Sequence, residues 1–563
     1  MTNIIEVQNL TFTYHGASKP ALNNINLKVR KGELVAITGH TGSGKSTLLY
    51  TLNGLIPHVL KGRKNGKVFI KGMDVDKHPP EELARTIGVV FEDPETQLTS
   101  LTVEDEVAFG LENISIPREE MVERIKWALN IVRLPFDKFK NRAVTTLSGG
   151  EKQRLAIASI LAMKPEILLF DEITAHLDPL GKKEISEVID TLRKLGEHTI
   201  IWSELNTAEI ANHADRVIIL KDGKIILEGP PYYVFRKVST TDVKPPQITE
   251  LAIKLKIEPV IKLEEAEKVF QEYLKKVKNQ INLSFEGKES FQIKSDSSII
   301  IDINHLYFGY EKDKYVLEDI NLKIRKGEFI ALVGQNGSGK TTLAKIIMGL
   351  LKPSSGDIKI FGKDIRESKL IEIAQHIGLV FQHPESQLFE ATVEKDVSFA
   401  LRNLNLPKDE INKRVEDVLR ICGIEELRKA DPLLLGLGQK RRVGIASVLV
   451  MHPEVIILDE PTSGQDWFQS IEIMDMLKEL NKKGHTIIFI THDMELVAQY
   501  ATRVVVLHNG KILFDGPTRE VFKKVEFLNS ISLGVPQIVE LFYKLNLPIA
   551  LTIEEATEFL LTH

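Results

Sequence analysis

Two nine-residue segments carry the first recognisable chemistry in this sequence. "GHTGSGKST", comprising Gly39, His40, Thr41, Gly42, Ser43, Gly44, Lys45, Ser46 and Thr47, returns as "GQNGSGKTT", comprising Gly334, Gln335, Asn336, Gly337, Ser338, Gly339, Lys340, Thr341 and Thr342. Their glycines, lysine and hydroxyl stand at the spacing of a phosphate-binding P-loop. The glycines let backbone N–H groups curl around phosphate oxygens. Lys45 or Lys340 would neutralise the outer phosphates, and the hydroxyl of Ser46 or Thr341 is expected to ligate magnesium. Farther along, the apolar runs "ILLFDE" and "VIILDE" each close on a pair of acids. Asp171 and Asp459 are expected to hold hydrated magnesium. Glu172 and Glu460 sit where a carboxylate could orient and deprotonate an attacking water.

Positioning such groups requires strands that end at them. "ELVAITG", "EILLFDE" and "HTIIW" are short apolar runs alternating with helix-like stretches, which predicts a parallel sheet buried under helices. Sheets of this kind bind ligands at the C-terminal ends of their strands. The whole arrangement is written twice. Gly39 and Gly334 are 295 positions apart, Glu92 and Gln382 290, and Asp171 and Asp459 288, so only small loop changes separate the halves. "PPQITELAIKLKIEPVIKLEEAEKVF" from Pro245 also recurs, as "VPQIVELFYKLNLPIALTIEEATEFL" from Val535. The stretch between the two cores therefore reads as a helical appendage of each half.

The bulk properties narrow the function classes. In 563 residues, 43% hydrophobic and 27% charged content predicts a globular chain of several domains. No apolar run approaches the ~18 residues of a membrane span, and "MTNIIEVQNL" lacks the pattern of a secretory signal. The expectation is a protein that neither crosses nor leaves a membrane by itself. A net charge of -5 gives no reason to expect a nucleic-acid partner. The single cysteine, Cys422, excludes an internal disulfide and any multi-cysteine metal cluster.

At "LSGGEKQR", Leu147 to Arg154, the chain resembles the ABC ATPases, whose signature segment this matches. The resemblance implies an α/β fold of two tandem P-loop NTPase domains, each with a parallel-sheet core, a helical subdomain and a helical C-terminal appendage. It places a first nucleotide-binding domain at 1–238, its appendage and a connector at 239–298, a second domain at 299–522 and a second appendage at 523–563. It implies ATP and Mg2+ as cofactors, with the two halves packed head to tail so that Leu147, Ser148, Gly149, Gly150 and Glu151 meet the γ-phosphate held by the other half. Tyr14 and Tyr310 become candidates to stack on adenine, with strand packing as the alternative for each. Gln382 joins the magnesium shell and the catalytic group, and His492 in "FITHD" becomes the sensor of the γ-phosphate. "FEDPETQLTSLTVEDEVAFGLEN" and "FQHPESQLFEATVEKDVSFALRN" are similar to the Q-loop region of energy-coupling factor ATPases. That similarity implies a peripheral protein on the cytoplasmic face of a membrane. Its partners would be a transmembrane coupling protein and a membrane-embedded substrate-binding protein for a vitamin or transition metal. Glu92, Asp93, Glu95 and Glu385 could pair with basic residues of a coupling helix, or form a solvated acidic loop.

The halves depart unequally from that pattern. Glu92 stands where the second half has Gln382, and Leu205 where it has His492; leucine cannot donate a hydrogen bond. The second signature reads "LGLGQKRR", with Gly436 for serine and Leu437 for glycine, and Gln465 replaces a leucine in "SGQD". In a head-to-tail pair, Glu92, Leu205, Gly436 and Leu437 would fall in one composite site. Gln382, Asp459, Glu460, His492, Ser148, Gly149 and Gly150 would fall in the other. The expectation is one active and one mainly ATP-holding site, with His176 in "ITAHLD" a tolerated change bordering the intact one. The rival readings are a soluble ABC-F-like translation factor and a fused sugar-importer ATPase. The first usually has a charged helical linker and two intact signatures; the second commonly has a degraded second P-loop.

Overall fold

The computed structural model describes residues 2–238, 241–277, 298–311 and 314–562. Of the connector expected over 239–298, residues 239, 240 and 278–297 lie outside that set, as do the first and last residues of the chain. The chain divides into two units, Met1–Asn279 and Gln280–His563.

In the first unit, the apolar runs form β3 (Leu34–Thr38), β7 (Ile167–Asp171) and β8 (Thr199–Ser203), every residue of which is buried. Burial on both faces explains why they read as unbroken apolar runs. With β6 (Ile87–Val90), β9 (Arg216–Lys221) and β10 (Lys224–Gly229) they make a six-stranded sheet in the order β10-β9-β3-β8-β7-β6. Its strands pair in parallel except for the antiparallel β10 at one edge. Alternation along each strand divides the packing. Val35, Ile37, Ile167 and Leu169 face the cluster built with the P-loop helix Lys45–Leu52, whereas Leu34, Leu168 and Phe170 face the cluster of the helical subdomain. That subdomain comprises the helices Val103–Asn113, Arg118–Ile131 and Gly149–Ala162.

A second sheet was not anticipated from the sequence. β1 (Asn3–Tyr14), β2 (Leu22–Arg30), β4 (Gly62–Ile70) and β5 (Met73–Asp74) pair antiparallel in the order β2-β1-β4-β5. It covers the P-loop helix from the other side and brings Tyr14 to the phosphate loop. The appendage is helical, at Gln247–Lys254 and Leu263–Val277.

The second unit repeats this plan. β11 (Ile299–Phe308), β12 (Leu317–Arg325), β14 (Ser355–Ile360) and β15 (Lys363–Asp364) form the antiparallel sheet. β13 (Phe329–Val333), β16 (Ile377–Val380), β17 (Val455–Asp459), β18 (Thr486–Ile490), β19 (Arg503–His508) and β20 (Lys511–Pro517) form the six-stranded one, in the order β16-β17-β18-β13-β19-β20. Its helical subdomain holds Val393–Asn403, Lys408–Ile421 and Leu437–Leu449, and its appendage Gln537–Lys544 and Ile553–Thr562. Among the described residues, no helix is long and apolar enough to cross a membrane.

Candidate functional site

Each phosphate loop leaves the end of a central strand and turns into a helix. A Cβ on Gly39 or Gly334 would lie 2.1 Å from the carbonyl oxygen of Leu220 or Leu507, so only glycine lets the loop pass. Gly44 and Gly339 cap the helices with φ of 105° and 103°, a region that glycine enters without strain. Lys45 Nζ donates to Gly39 O at 3.0 Å and His40 O at 3.2 Å, and Lys340 Nζ to Gly334 O at 2.7 Å and Gln335 O at 2.8 Å. Both ammoniums are thereby folded over their own loops. Ser43 Oγ and Ser338 Oγ, at equivalent points, are buried without a hydrogen-bond partner among the described residues. A buried hydroxyl is costly to leave in that state, and a phosphate oxygen would complete it.

The strand ends bring the expected acids to these loops. Ser46 Oγ donates to Asp171 Oδ1 at 3.1 Å, and Thr341 Oγ1 to Asp459 Oδ2 at 2.6 Å. Burial pushes both aspartic carboxyls above their ordinary range, against the hydroxyl hydrogen bonds. A hydroxyl and a carboxylate at this separation are hard oxygen donors that fit Mg2+. Among the described residues no three His, Cys, Asp or Glu side chains are grouped to hold a metal. Phosphate oxygens and water would therefore have to complete its shell.

Glu172 and Glu460 follow their strands with φ of 47° and 48°, left-handed in both halves. Their amides are held alike, donating to Ser203 O at 3.0 Å and Ile490 O at 2.9 Å. Their partners differ. His492 Nδ1 lies 2.9 Å from Glu460 Oε1, with both side chains about nine-tenths buried. Glu172 instead faces Lys45 Nζ at 3.2 Å, and burial, opposed by that ammonium, brings its carboxyl to about 7. At the place of His492 stands Leu205. Its neighbour Glu204 is buried, accepting from the amides of Leu205 and Asn206 at 2.8 Å each and from Thr174 Oγ1 at 2.5 Å.

The signature segments differ at the same atomic level. Ser148 caps Gly149–Ala162 in a capping box: its Oγ accepts from Glu151 N at 3.2 Å, and Glu151 Oε2 accepts from Ser148 N at 2.9 Å. Burial acts to raise the Glu151 carboxyl, but the Ser148 amide and Arg142 outweigh it and hold it below the usual carboxylate range. Leu147 anchors the turn in the core, and Ser148 and Gly149 are exposed at the positive end of the helix. In the second unit, Gln439 Oε1 still accepts from Gly436 N at 3.3 Å, but Gly436 offers no hydroxyl and the Leu437 side chain is half-buried at the tip.

Tyr14 and Tyr310 touch the loops through their phenols, at 3.1 Å from Thr47 Oγ1 and 3.3 Å from Thr342 Oγ1. Each also packs edge-on against a strand phenylalanine, Phe12 or Phe308, at 4.9 Å. In addition, Gln335 Nε2 of the second loop donates to Ile531 O at 3.0 Å.

His176, expected beside the intact site as a tolerated change, is a partner of Glu92 in its own half, with Nε2 3.1 Å from Oε1. The other Q-loop acids are also engaged within their units. Glu95 pairs with Lys152, Glu385 with Lys440 at 3.4 Å, and Asp93 caps a turn through Glu95 N at 2.9 Å. Sequence reasoning missed Arg441. Its buried guanidinium donates to Gln382 O at 2.7 Å and Ser463 O at 3.4 Å, where the first unit has Gln153 donating to Phe91 O at 3.2 Å. Aligning the two signatures residue by residue would have exposed this exchange.

Comparison with known proteins gives a consistent picture. The sequence model of the ABC transporter family matches residues 22–175 and 317–463. A protein of Caldanaerobacter subterraneus subsp. tengcongensis named as an ABC transporter ATP-binding protein is 42% identical over 555 residues, covering 96% of each chain. One of Methanosarcina mazei with the same description is 38% identical over 581 residues, covering 100% of this chain and 98% of its own. A solved structure of cbiO1 from Clostridium perfringens, described as part of the ABC transporter complex cbiONQ, is 43% identical. It covers 44% of this chain and 99% of its own, with a TM-score of 0.39.

Proposed function

The chain belongs to the ABC transporter family as an ATP-binding ATPase with two ABC domains in one polypeptide, and from that premise we propose that it is the energy-coupling component of an energy-coupling factor importer for a vitamin or transition-metal ion. Support for the finer type comes from the two Q-loop segments, which are similar to that class. In this reading the protein lies on the cytoplasmic face of the membrane against a transmembrane coupling protein, and a membrane-embedded protein selects the substrate.

The observation that carries the mechanism is the unequal pairing of the two strand-end glutamates. Glu460 faces His492, an imidazole that can hold it oriented and reach a terminal phosphate. In a head-to-tail pair, Lys340, Thr341, Gln382 and Asp459 on this side meet Ser148, Gly149 and Gly150 from the first half. Glu460 then takes a proton from the attacking water, His492 holds that carboxylate and the γ-phosphate in register, and the first signature helix offers N–H donors to the departing charge. Mg2+, held by Thr341, Asp459 and Gln382, would neutralise phosphate charge. The opposite site, with Glu172 held by Lys45, Leu205 without a donor and Leu437 at the signature tip, retains nucleotide and contributes little turnover. Losing one such preorganised group typically costs ~10² to 10³ in rate.

The test is steady-state ATP hydrolysis by the full-length protein. Glu460→Gln is expected to remove nearly all of it and Glu172→Gln to leave most. Equal losses reject the asymmetry. Co-purification with membrane proteins tests the transporter assignment, and recovery with ribosomes instead would reject it.

A further inference from the structure

The two phosphate pockets differ in charge at three aligned positions, and each exchange pushes the first pocket the same way. Five residues after the P-loop lysine, on the exposed side of the helix, the first unit has Tyr50 and the second Lys345; both are half-buried. At the Q-loop position the first has Glu92 and the second Gln382. In the signature helix the first has Gln153 and the second the buried Arg441.

Tyr50, Glu92, Lys345 and Arg441 interact with the strand-end acids. Glu92 raises the Asp171 and Glu172 carboxyls, and with Asp171 and Tyr14 it adds to the burial that holds the Tyr50 phenol at about 12. In the second unit Lys345 acts on Asp459, and the burial-weakened Arg441 guanidinium is held by Glu460, Glu385 and Asp459. Around the first pocket Asp171, Glu172, Glu92 and Glu204 thus act together with Lys45. Around the second, Asp459, Glu460 and Glu385 act together with Lys340, Lys345 and Arg441.

We propose that the first pocket accepts a nucleoside triphosphate only as its complex with a divalent cation, and that Glu92, aimed by His176, enforces this, whereas the second pocket also binds the metal-free anion. The geometry that places Glu92 for the task is its 3.1 Å contact with His176, in the loop that follows Asp171. Two positions at which the first unit departs from the family pattern are therefore one feature. A bare triphosphate entering the first pocket meets a surplus of carboxylates, and each unit charge at a few ångströms in a half-buried site is worth about tenfold or more in affinity. A bound divalent cation reverses the sign of that encounter. Metal-dependent loading would keep the retaining site filled with the complex that locks two halves together.

This inference rests on the reading that both P-loops hold nucleotide, and the experiment separates the two. Full-length Lys340→Ala and Lys45→Ala proteins isolate the first and second pockets respectively. A fluorescent ATP analogue is titrated at pH 8 with excess Mg2+ or with EDTA. For the first pocket, chelation is expected to weaken binding by ~100-fold or more, and for the second by less than ~10-fold. Adding Glu92→Gln to the Lys340→Ala protein, which installs the second half's own residue, is expected to recover about tenfold or more of the affinity in EDTA. Equal metal dependence of the two pockets, or no recovery with Glu92→Gln, overturns the inference. Failure of the Lys340→Ala protein to bind in Mg2+ overturns the underlying reading, and the inference with it.

Discussion

Gln465 offers a direct test of how this fold balances stability against its unusual loop. It is 8% exposed, and neither atom of its side-chain amide has a hydrogen-bond partner among the described residues. At the aligned position the first unit has Leu177, 3% exposed and part of a hydrophobic core. The substitution Gln465→Leu removes a buried amide of similar volume whose lost hydration is uncompensated, a penalty of about 1 to 3 kcal/mol. For a unit of this length, 1 kcal/mol corresponds to about 2 °C in Tm, so the unfolding transition of the second unit is expected to rise by about 2 to 6 °C. Differential scanning calorimetry of the full-length protein without nucleotide reads this shift, with Leu177→Gln as the reverse experiment, expected to lower the first unit's transition. An unchanged or lowered second transition in Gln465→Leu would refute the reasoning, because it would mean that the amide is satisfied in solution.

Other consequences can be measured on the same protein. Arg503→Ala strands the carboxylate of Glu328, which is almost fully buried and 3.0 Å from the guanidinium, and should cost the second unit ~3 to 5 kcal/mol in urea unfolding. Ser148→Ala removes the capping hydroxyl, with an expected cost of ~1 kcal/mol in stability. It is also expected to lower steady-state hydrolysis, whereas Gly436→Ser should leave that rate nearly unchanged. His492→Ala frees Glu460 from its imidazole and is expected to slow hydrolysis ~10² to 10³-fold while nucleotide affinity holds within a few-fold, as equilibrium binding would show.

The parts of this molecule that were legible in sequence are those in which local chemistry fixes local shape. Gly39 and Gly44 announce a loop only glycine can make, Ser148 and Glu151 spell a capping box, and Asp171 closes a run of apolar residues that burial on both sides demands. The antiparallel sheet was harder to see. "NIIEVQNLTFTY" alternates imperfectly because β1 carries register shifts against both of its neighbours, so its inward residues do not keep a strict period of two. Contacts that depend on tertiary approach left no local signal. Glu92 and His176 are 84 positions apart in the chain, and each alone looks like a lapse from the family pattern. Arg441 was hidden differently, since an arginine in a polar helical segment reads as a solvated charge until the fold buries it.

The left-handed backbone at Glu172 and Glu460 bears on how such a tandem protein can change over generations. With φ near 47°, a side chain branched at Cβ collides with the main chain, so valine, isoleucine and threonine are closed to both positions. Unbranched polar residues and glycine remain open. A mutation that silences chemistry at either strand end can therefore leave the turn, the sheet and the neighbouring loop standing.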